Sequence, residues 1–297
     1  LKKVGFFHEQ DFKTLAKILL NITLPCAIIY SFSKVEFQVS LLTVTGLSLF
    51  VGILIILIAY FTSRMSGTKE NIPFDILNLS GYNIGNFCLP FAQSFLEPLS
   101  LLGITLFDMG NAFYCNGGAK AVAEVFKNIM CSDAEAITDV KVQIKSSLKT
   151  IGRALSRSTP FLVYFAMLVI LILGIPIPKI VLSVTQIGSN ANAFTAMLMI
   201  GVGFKLNIKK DGISHVIRIL ITRYAVTISF AAIAFFLLPF PLQIRQALVL
   251  AFLSPIASAC PAYTDALGED YELSSTINSI SMLISIVLIT CALLVML

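Results

Sequence analysis

Charged side chains are scarce in this chain: 12% of its 297 residues are Asp, Glu, Lys or Arg, while 57% are hydrophobic. Soluble domains carry about a quarter of charged residues, so the composition points to a membrane protein. Histidine is nearly absent, because only His8 and His215 occur, far apart and unable to form a metal-binding pair. The net charge of +5 informs membrane topology and is not a sign of nucleic-acid binding.

Motifs of enzymes and of ATP-driven pumps are missing as well. The sequence contains no HExxH motif, no nucleophile–base pair and no paired aspartates in an apolar span, so we do not expect an enzyme. It contains no nucleotide-binding loop, which excludes ATP-driven transport by this chain alone. The six cysteines lack metal-ligand spacing and five lie in apolar stretches, where they are interpreted as small buried residues. No cofactor and no metal site are expected.

Long uncharged stretches are abundant, and several reach the roughly 20 residues that a helix needs to cross the hydrocarbon core. The sequence predicts nine helical spans, near residues 12–33, 38–63, 72–96, 98–122, 158–178, 180–205, 213–238, 243–266 and 273–297. The basic, polar start of the chain is interpreted as the end of a preceding helix that is absent from it. With that helix the fold would have ten spans.

Lys and Arg are distributed unequally between the two sides that alternating spans create. Only Lys34, Lys179 and Arg245 of the 21 fall on one side. The other side includes Arg223 and the tract between Glu124 and Arg157. Positive loops stay in the cytoplasm, so we expect a protein of the cell membrane with a cytoplasmic central loop and an external C terminus.

The central loop divides the chain into two hydrophobic halves. The predicted organisation is a first half-repeat at 1–123, a cytoplasmic loop at 124–157 and a second half-repeat at 158–297. With five helices in each half, an odd number, two halves of the same fold must lie inverted in the bilayer, as in many secondary transporters.

One span in each half contains residues that weaken a helix: "GYNIGNFCLPF" in the first and "AFLSPIASACPAYTDALG" in the second. A proline inside a helix costs about 3 kcal/mol, and broken backbone survives in a membrane only against protein or a watery cavity. The ends of the half-helices can then hold an anion without a buried Lys or Arg. The substrate-binding residues predicted in these two spans are Asn83, Gly85, Asn86, Pro90, Ser254, Pro255 and Pro261.

The next span of the first half adds an ionisable group. Asp108 and Asn111 are three residues apart and share a helix face, so they are candidates for the pocket or for coupling to protons. Two plainer interpretations stay open. The prolines would kink packed helices without a functional role, and Asp108 would be solvated near a helix end.

Five segments in this order and spacing resemble the auxin efflux carrier family of membrane transport proteins. They are "NITLPCAIIYSF", "NIGNFCLPFAQSF", "FDMGNAFYCNGG", "QIGSNANAFTAMLMIGVGF" and "SPIASACPAYTDALGEDYELSSTINSISMLISI". The resemblance covers essentially the whole chain, and the short central loop is typical of bacterial members. The family's asparagine and later proline of helix 4 fall on Asn83 and Pro90, and its helix-9 proline falls on Pro255. Tyr82 departs from the plant carriers, which have proline there.

The resemblance implies an all-α, ten-helix carrier with an inverted repeat of five plus five helices, related in fold to bile-acid sodium symporters. Helices 1, 2, 6 and 7 would form a scaffold that makes a homodimer. Helices 3–5 and 8–10 would form a transport domain in which helices 4 and 9 cross at their breaks and bind carboxylates. An elevator-like shift of that domain would give alternating access.

The leading hypothesis is therefore a secondary transporter of small organic anions, mono- or dicarboxylates, that works by efflux or exchange. Its partners would be the anionic substrate, the lipid bilayer and a second copy of the chain. The alternative is a membrane sensor or channel with the same carboxylate pocket. Protons or the membrane potential, worth about 2.3 kcal/mol per charge per 100 mV, are both open as the driving force.

Overall fold

The computed structural model describes residues 6–34, 38–66, 69–131, 137–204 and 212–296. These residues form an all-helical protein whose extended pairing is limited to a single isolated bridge. The first helices of the chain are α1 (Glu9–Ile18), α2 (Leu24–Phe32), α3 (Leu42–Met65), α4 (Ile72–Leu79), α5 (Leu89–Ala92), α6 (Pro98–Phe113) and α7 (Ala119–Cys131). The remaining ones are α8 (Ile137–Arg157), α9 (Thr159–Ile172), α10 (Lys179–Gly203), α11 (Ile213–Phe236), α12 (Leu242–Phe252), α13 (Cys260–Ala266) and α14 (Tyr271–Met296).

Several of these helices have the length and composition of membrane spans. Among the described residues, four are long and apolar enough to cross a membrane: Asp11–Phe32, Leu42–Met65, Ile213–Phe236 and Tyr271–Met296. The bent pair Leu148–Arg157 and Thr159–Ile172, with an angle of 79° between its parts, would make a fifth. The prediction of a helical membrane protein is confirmed at this level. Five lysines that contribute to the predicted topology lie outside the described residues, namely Lys2, Lys3, Lys205, Lys209 and Lys210.

The helices pack into two groups. In one group α1 and α2 pack against α10, and α2 also contacts α9. In the other group α6 packs against α3 and α12, α11 packs against α12, and α4 packs against α3 and α7. Contacts between the groups run from α10 to α5 and from α2 and α9 to α6. The two broken spans belong to the second group and face the first.

Two widened π turns interrupt the described helices, at Leu19–Thr23 before α2 and at Ile84–Cys88 before α5. Between α6 and α7 the chain is kinked at Gly117, which takes φ +122°. Pro25 and Pro90 each stand within the first two positions of the α-helix that follows a π turn. A proline ring clashes with the carbonyl four residues earlier, and a wider turn relieves that clash without ending the helix.

The segment predicted as a loop at 124–157 is largely helical. Helix α7 extends into this segment as far as Cys131, and α8 then runs from Ile137 to Arg157. Exposed basic residues recur every four positions along α8, while Ile151 on another face is buried. Residues four apart share one helix face, so α8 has the pattern of a surface helix. Its regularly spaced charges exclude it from the long uncharged stretches that predict membrane spans.

Candidate functional site

The first broken span is interrupted at Gly81 and not at Pro90. Helix α4 ends at Leu79, and Gly81 takes φ +77°, a left-handed conformation that glycine adopts without steric cost. A Cβ at this position would lie 3.2 Å from the Cβ of Ala257 and 3.3 Å from the Sγ of Cys115. Pro90 does not open the helix, which resumes at Ile84 and passes through Pro90 after the π turn.

The second broken span is interrupted between α12 and α13. Helix α12 ends at Phe252 and α13 begins at Cys260, so the intervening residues, which include Ser254 and Pro255, are unwound. Pro261 stands within the first two positions of α13, where a missing N–H leaves no hydrogen bond unmade. In this span a predicted proline, Pro255, does lie in the break itself.

The two breaks meet. Tyr82 pairs with Ile256 in an isolated antiparallel bridge, and the N–H of Asn83 donates to the carbonyl of Pro255 at 2.9 Å. Backbone groups freed by one broken helix are therefore satisfied by the other, as buried backbone requires. The crossing of the two breaks is the structural centre of the candidate site.

An asparagine from the following helix holds each broken segment. Asn111 on α6 accepts from the N–H of Tyr82 at 2.9 Å and donates to its carbonyl at 2.8 Å. Asn278 on α14 donates to the carbonyls of Ile256 at 3.2 Å and Ala257 at 3.0 Å. The asparagine side chain replaces the hydrogen bonds that a continuous helix would supply. Asn111 was predicted as a site residue and Asn278 was missed.

Arg223 lies buried behind the crossing. Its guanidinium donates to the carbonyls of Leu79, Ser254 and Pro255, the last two at 3.4 Å. It also stands 4.4 Å from the centre of the Tyr82 ring. Helices α4 and α12 end here with carbonyls that have no partner within their own helix and attract a cation. The sequence analysis did not predict this buried arginine behind the site.

A sequence signal for Arg223 existed. Helix α11 runs from Ile213 to Phe236, so Arg223 stands near its middle. An ionisable residue at that depth is a functional candidate by default. The predicted topology instead places Arg223 with the cytoplasmic basic residues, because the unequal distribution of Lys and Arg assigns it to that side.

Two cavities flank the crossing. The first has a volume of about 550 Å³, and its lining includes Asn83, Gly85, Asn86, Asp108 and Asn111. The second has a volume of about 540 Å³, and its lining includes Asn83, Ser258, Pro261 and Asn278. Phe12 on α1 and Met199 on α10 line both cavities on the side opposite the broken helices.

Asn83 links the two cavities. Its side chain is 4% exposed, and its Nδ2 has no hydrogen-bond partner among the residues that the structure describes. Ser258 also lines both cavities and accepts from the Nδ2 of Asn86 at 3.4 Å. A buried amide donor without a partner is unfavourable, so the Nδ2 of Asn83 is a place for a ligand acceptor.

Asp108 places a carboxyl group in the first cavity. The carboxyl accepts from the Nδ2 of Asn111 at 3.0 Å and from the Oη of Tyr164 at 2.8 Å. Among the described residues no cation forms an ion pair with it. Because Tyr164 is on α9, this hydrogen bond joins the two groups of helices.

Three predicted site residues line neither cavity. Pro90 is buried in the half-helix, and the hydroxyl of Ser254 donates to the carbonyl of Leu250 at 2.8 Å. Pro255 contributes its carbonyl to the crossing. The other predicted residues, Asn83, Gly85, Asn86, Asp108, Asn111 and Pro261, line one or both cavities.

No group of three or more His, Cys, Asp or Glu side chains in the described part of the chain is placed to hold a metal ion. Comparison with known proteins found neither a matching family model nor a matching curated protein.

Proposed function

We propose that this chain is a secondary transporter that carries small organic anions, mono- or dicarboxylates, across the cell membrane by efflux or exchange. The observation that carries the proposal is the buried, unpartnered Nδ2 of Asn83 at the junction of two cavities. A carboxylate oxygen would complete that hydrogen bond, and a charged acceptor makes a stronger bond than a neutral one.

The backbone next to Asn83 supports the same ligand. The half-helix that begins at Ile84 and runs to Ala92 starts at the cavity, because Gly85 and Asn86 in its first turn line it. The first N–H groups of a helix have no partner within the helix and carry partial positive charge. The carboxylate would therefore bind near one amide side chain and one helix terminus, with Arg223 contributing positive charge from behind Tyr82.

Paired features in the two halves support a ten-helix inverted repeat of five plus five helices, with crossing helices 4 and 9. Each half has a broken span followed directly by a long one: α4 and α5 before α6, and α12 and α13 before α14. In each half the following helix supplies an asparagine to the break, Asn111 and Asn278. These features accord with the resemblance to the auxin efflux carrier family, to which we assign the chain as part of this proposal.

The two packing groups support elevator-like movement. The cavities lie between Asn83 of the group with the broken helices and Phe12 and Met199 of the other group. A shift of the group with the broken helices along the other group would carry the site across the bilayer. In this proposal the group of α1, α2, α9 and α10 is the scaffold and forms the homodimer, the central segment is cytoplasmic and the C terminus is external.

The testing experiment is uptake of labelled carboxylates into proteoliposomes that contain the full-length protein, at set pH and membrane voltage. We expect saturable flux, and we expect Asn83→Ala to raise the half-saturating concentration about tenfold, as loss of one hydrogen bond to a charged group predicts. The matched control is Asn128→Ala, because Asn128 is exposed on α7 and lines neither cavity. Its flux should equal that of the wild type.

The same measurements separate the alternatives. Binding without flux would favour a sensor, and flux that does not saturate would favour a channel. Unchanged affinity in folded Asn83→Ala would move the site elsewhere. The pH and voltage series identifies whether protons or the membrane potential drive transport.

A further inference from the structure

The two cavities differ in charge at matching positions. Asn111 and Asn278 each hold a broken segment, and the residues three positions before them on the same helices are Asp108 and Ser275. Asp108 lines the first cavity and Ser275 the second. The site therefore has a carboxyl on one side of Asn83 and a hydroxyl at the matching place on the other side.

Among the described residues, no cation balances the carboxyl of Asp108. Its recorded hydrogen-bond donors are the neutral groups of Asn111 and Tyr164. Within the described residues, the one other charged side chain that lines this cavity is Arg157, which is solvent-exposed and forms no ion pair with Asp108. Two carboxylates that share a cavity of low dielectric repel each other. A simple carboxylate substrate would therefore meet repulsion from Asp108.

Access to this carboxyl is kept open by Gly85. A Cβ at Gly85 would lie 3.1 Å from the Oδ2 of Asp108 and 3.0 Å from the Cδ2 of Leu24. Any side chain at this position would therefore crowd the carboxyl on the side of the half-helix. A small cationic group in the first cavity can reach the Oδ2 across the glycine.

We propose that the substrate is an aminocarboxylate, whose ammonium group binds Asp108 in the first cavity. Its carboxylate binds the Nδ2 of Asn83 and the hydroxyl of Ser258, which line both cavities. The ammonium removes the repulsion between the two carboxylates, so the site prefers a zwitterion to a simple anion of the same shape. This assignment rests on the proposed function and changes its substrate from a simple carboxylate anion to a carboxylate that also carries an ammonium group.

The test is direct binding of labelled matched pairs to the purified full-length protein at pH 7. The pairs are L-alanine and propionate, L-leucine and 4-methylpentanoate, and L-glutamate and glutarate. In at least one pair we expect the amino member to bind at least tenfold more tightly, a difference of about 1.4 kcal/mol. Asp108→Asn should reduce that ratio to within about twofold by weakening the amino member, whereas Asp108→Glu should retain a preference for it.

A matched control separates local from general charge effects. Asp265 is exposed and lines neither cavity, so Asp265→Asn should leave the ratio unchanged. Gly85→Ala should lower the affinity for the amino member more than for the deamino member, because its Cβ crowds the Asp108 carboxyl. This variant tests the subsite independently of any change at Asp108.

The outcomes distinguish the two proposals. If the wild type binds the deamino members as well as or better than the amino members, the aminocarboxylate assignment is overturned and the carboxylate carrier stands. A tenfold ratio that persists in folded Asp108→Asn would overturn the role of Asp108. If no member of any pair binds, the proposed function fails together with this inference.

Discussion

Arg223 unites the two broken spans from behind, and its single side chain serves three carbonyl groups. A guanidinium has five N–H donors in a fixed plane, so it can serve several acceptors where a lysine amine would serve fewer with less defined geometry. Its side chain is 1% exposed, which leaves no water to replace it. We therefore regard Arg223 as the residue that makes two adjacent helix ends compatible with the membrane interior.

Arg223→Met should lower the free energy of unfolding by about 2–5 kcal/mol, because the carbonyls of Leu79, Ser254 and Pro255 lose a charged donor. Denaturant or thermal unfolding of the purified protein measures this loss. The control is Arg153→Met, on an exposed position of α8, with an expected change within about 0.5 kcal/mol. Equal stability of Arg223→Met and the wild type would refute the role given to this guanidinium.

Some residues of the site could be predicted and others could not, and the difference lies in what each does. Asn83 and Asp108 are polar groups within an otherwise apolar span, so the sequence itself exposes them. Asn278 stands among serines and apolar residues in the predicted span 273–297, which contains no proline or glycine to mark a site. Arg223 follows the basic residues of the preceding loop so closely that composition does not separate it from them. Both missed residues act on the backbone of another span, which a reading of one helix at a time does not reveal.

The break in the first span depends on a glycine, and the break in the second span contains a proline. Pro90 costs little because a π turn precedes it, whereas Gly81 carries the left-handed conformation that ends α4 and turns the chain toward the second break. The sequence predicts a break in the first span from its glycines, asparagines and proline together, and does not single out Gly81. Proline is the stronger helix breaker on average, and only the local backbone decides which residue bears the turn.

Gly81→Ala should lower the free energy of unfolding by about 1–2 kcal/mol, the cost of placing a side chain in the left-handed region. Its Cβ would also approach Ala257 and Cys115 to 3.2 and 3.3 Å, which pushes the two breaks apart and should weaken substrate binding. Gly152→Ala is the control: its Cβ meets nothing within 4 Å, so helix propensity predicts stabilisation of up to about 1 kcal/mol. Equal unfolding curves for the two variants would show that the turn at Gly81 carries no strain.

In the molecule as a whole, a small set of polar contacts joins the two packing groups. The Nε2 of Gln93, just after α5, donates to the Oγ of Ser189 on α10 at 3.2 Å. The Oε1 of Gln93 accepts from the Nδ2 of Asn192 at 3.0 Å. The hydrogen bond between Tyr164 and Asp108 lies on the side of α9. Each contact must break if one group slides along the other.

The four or five helices of the described residues that are long and apolar enough to cross a membrane could be predicted, because hydrophobic length is a property of each segment. How they are grouped depends on side chains from distant parts of the chain, such as Gln93 and Ser189, which are 96 positions apart. Nothing local distinguishes a polar residue that joins the two groups from one that packs within a group. The resemblance supplied the expected grouping where the composition could not.

A covalent link between the groups tests the movement directly. In a background without reactive native cysteines, Gln93→Cys and Ser189→Cys would be joined by a short bifunctional thiol reagent, since their side chains are in contact across the groups. We expect the linked protein to bind substrate and to lose transport, and a cleavable reagent should restore transport after cleavage. The control pair is Glu97→Cys and Gln243→Cys, whose side chains contact at 3.3 Å within the group of the broken helices and line neither cavity. Linking this pair should leave flux unchanged, because no relative movement is needed between its members. Full flux through the Gln93–Ser189 link would mean that the groups move as one body, and access would then have to alternate by local opening around Asn83.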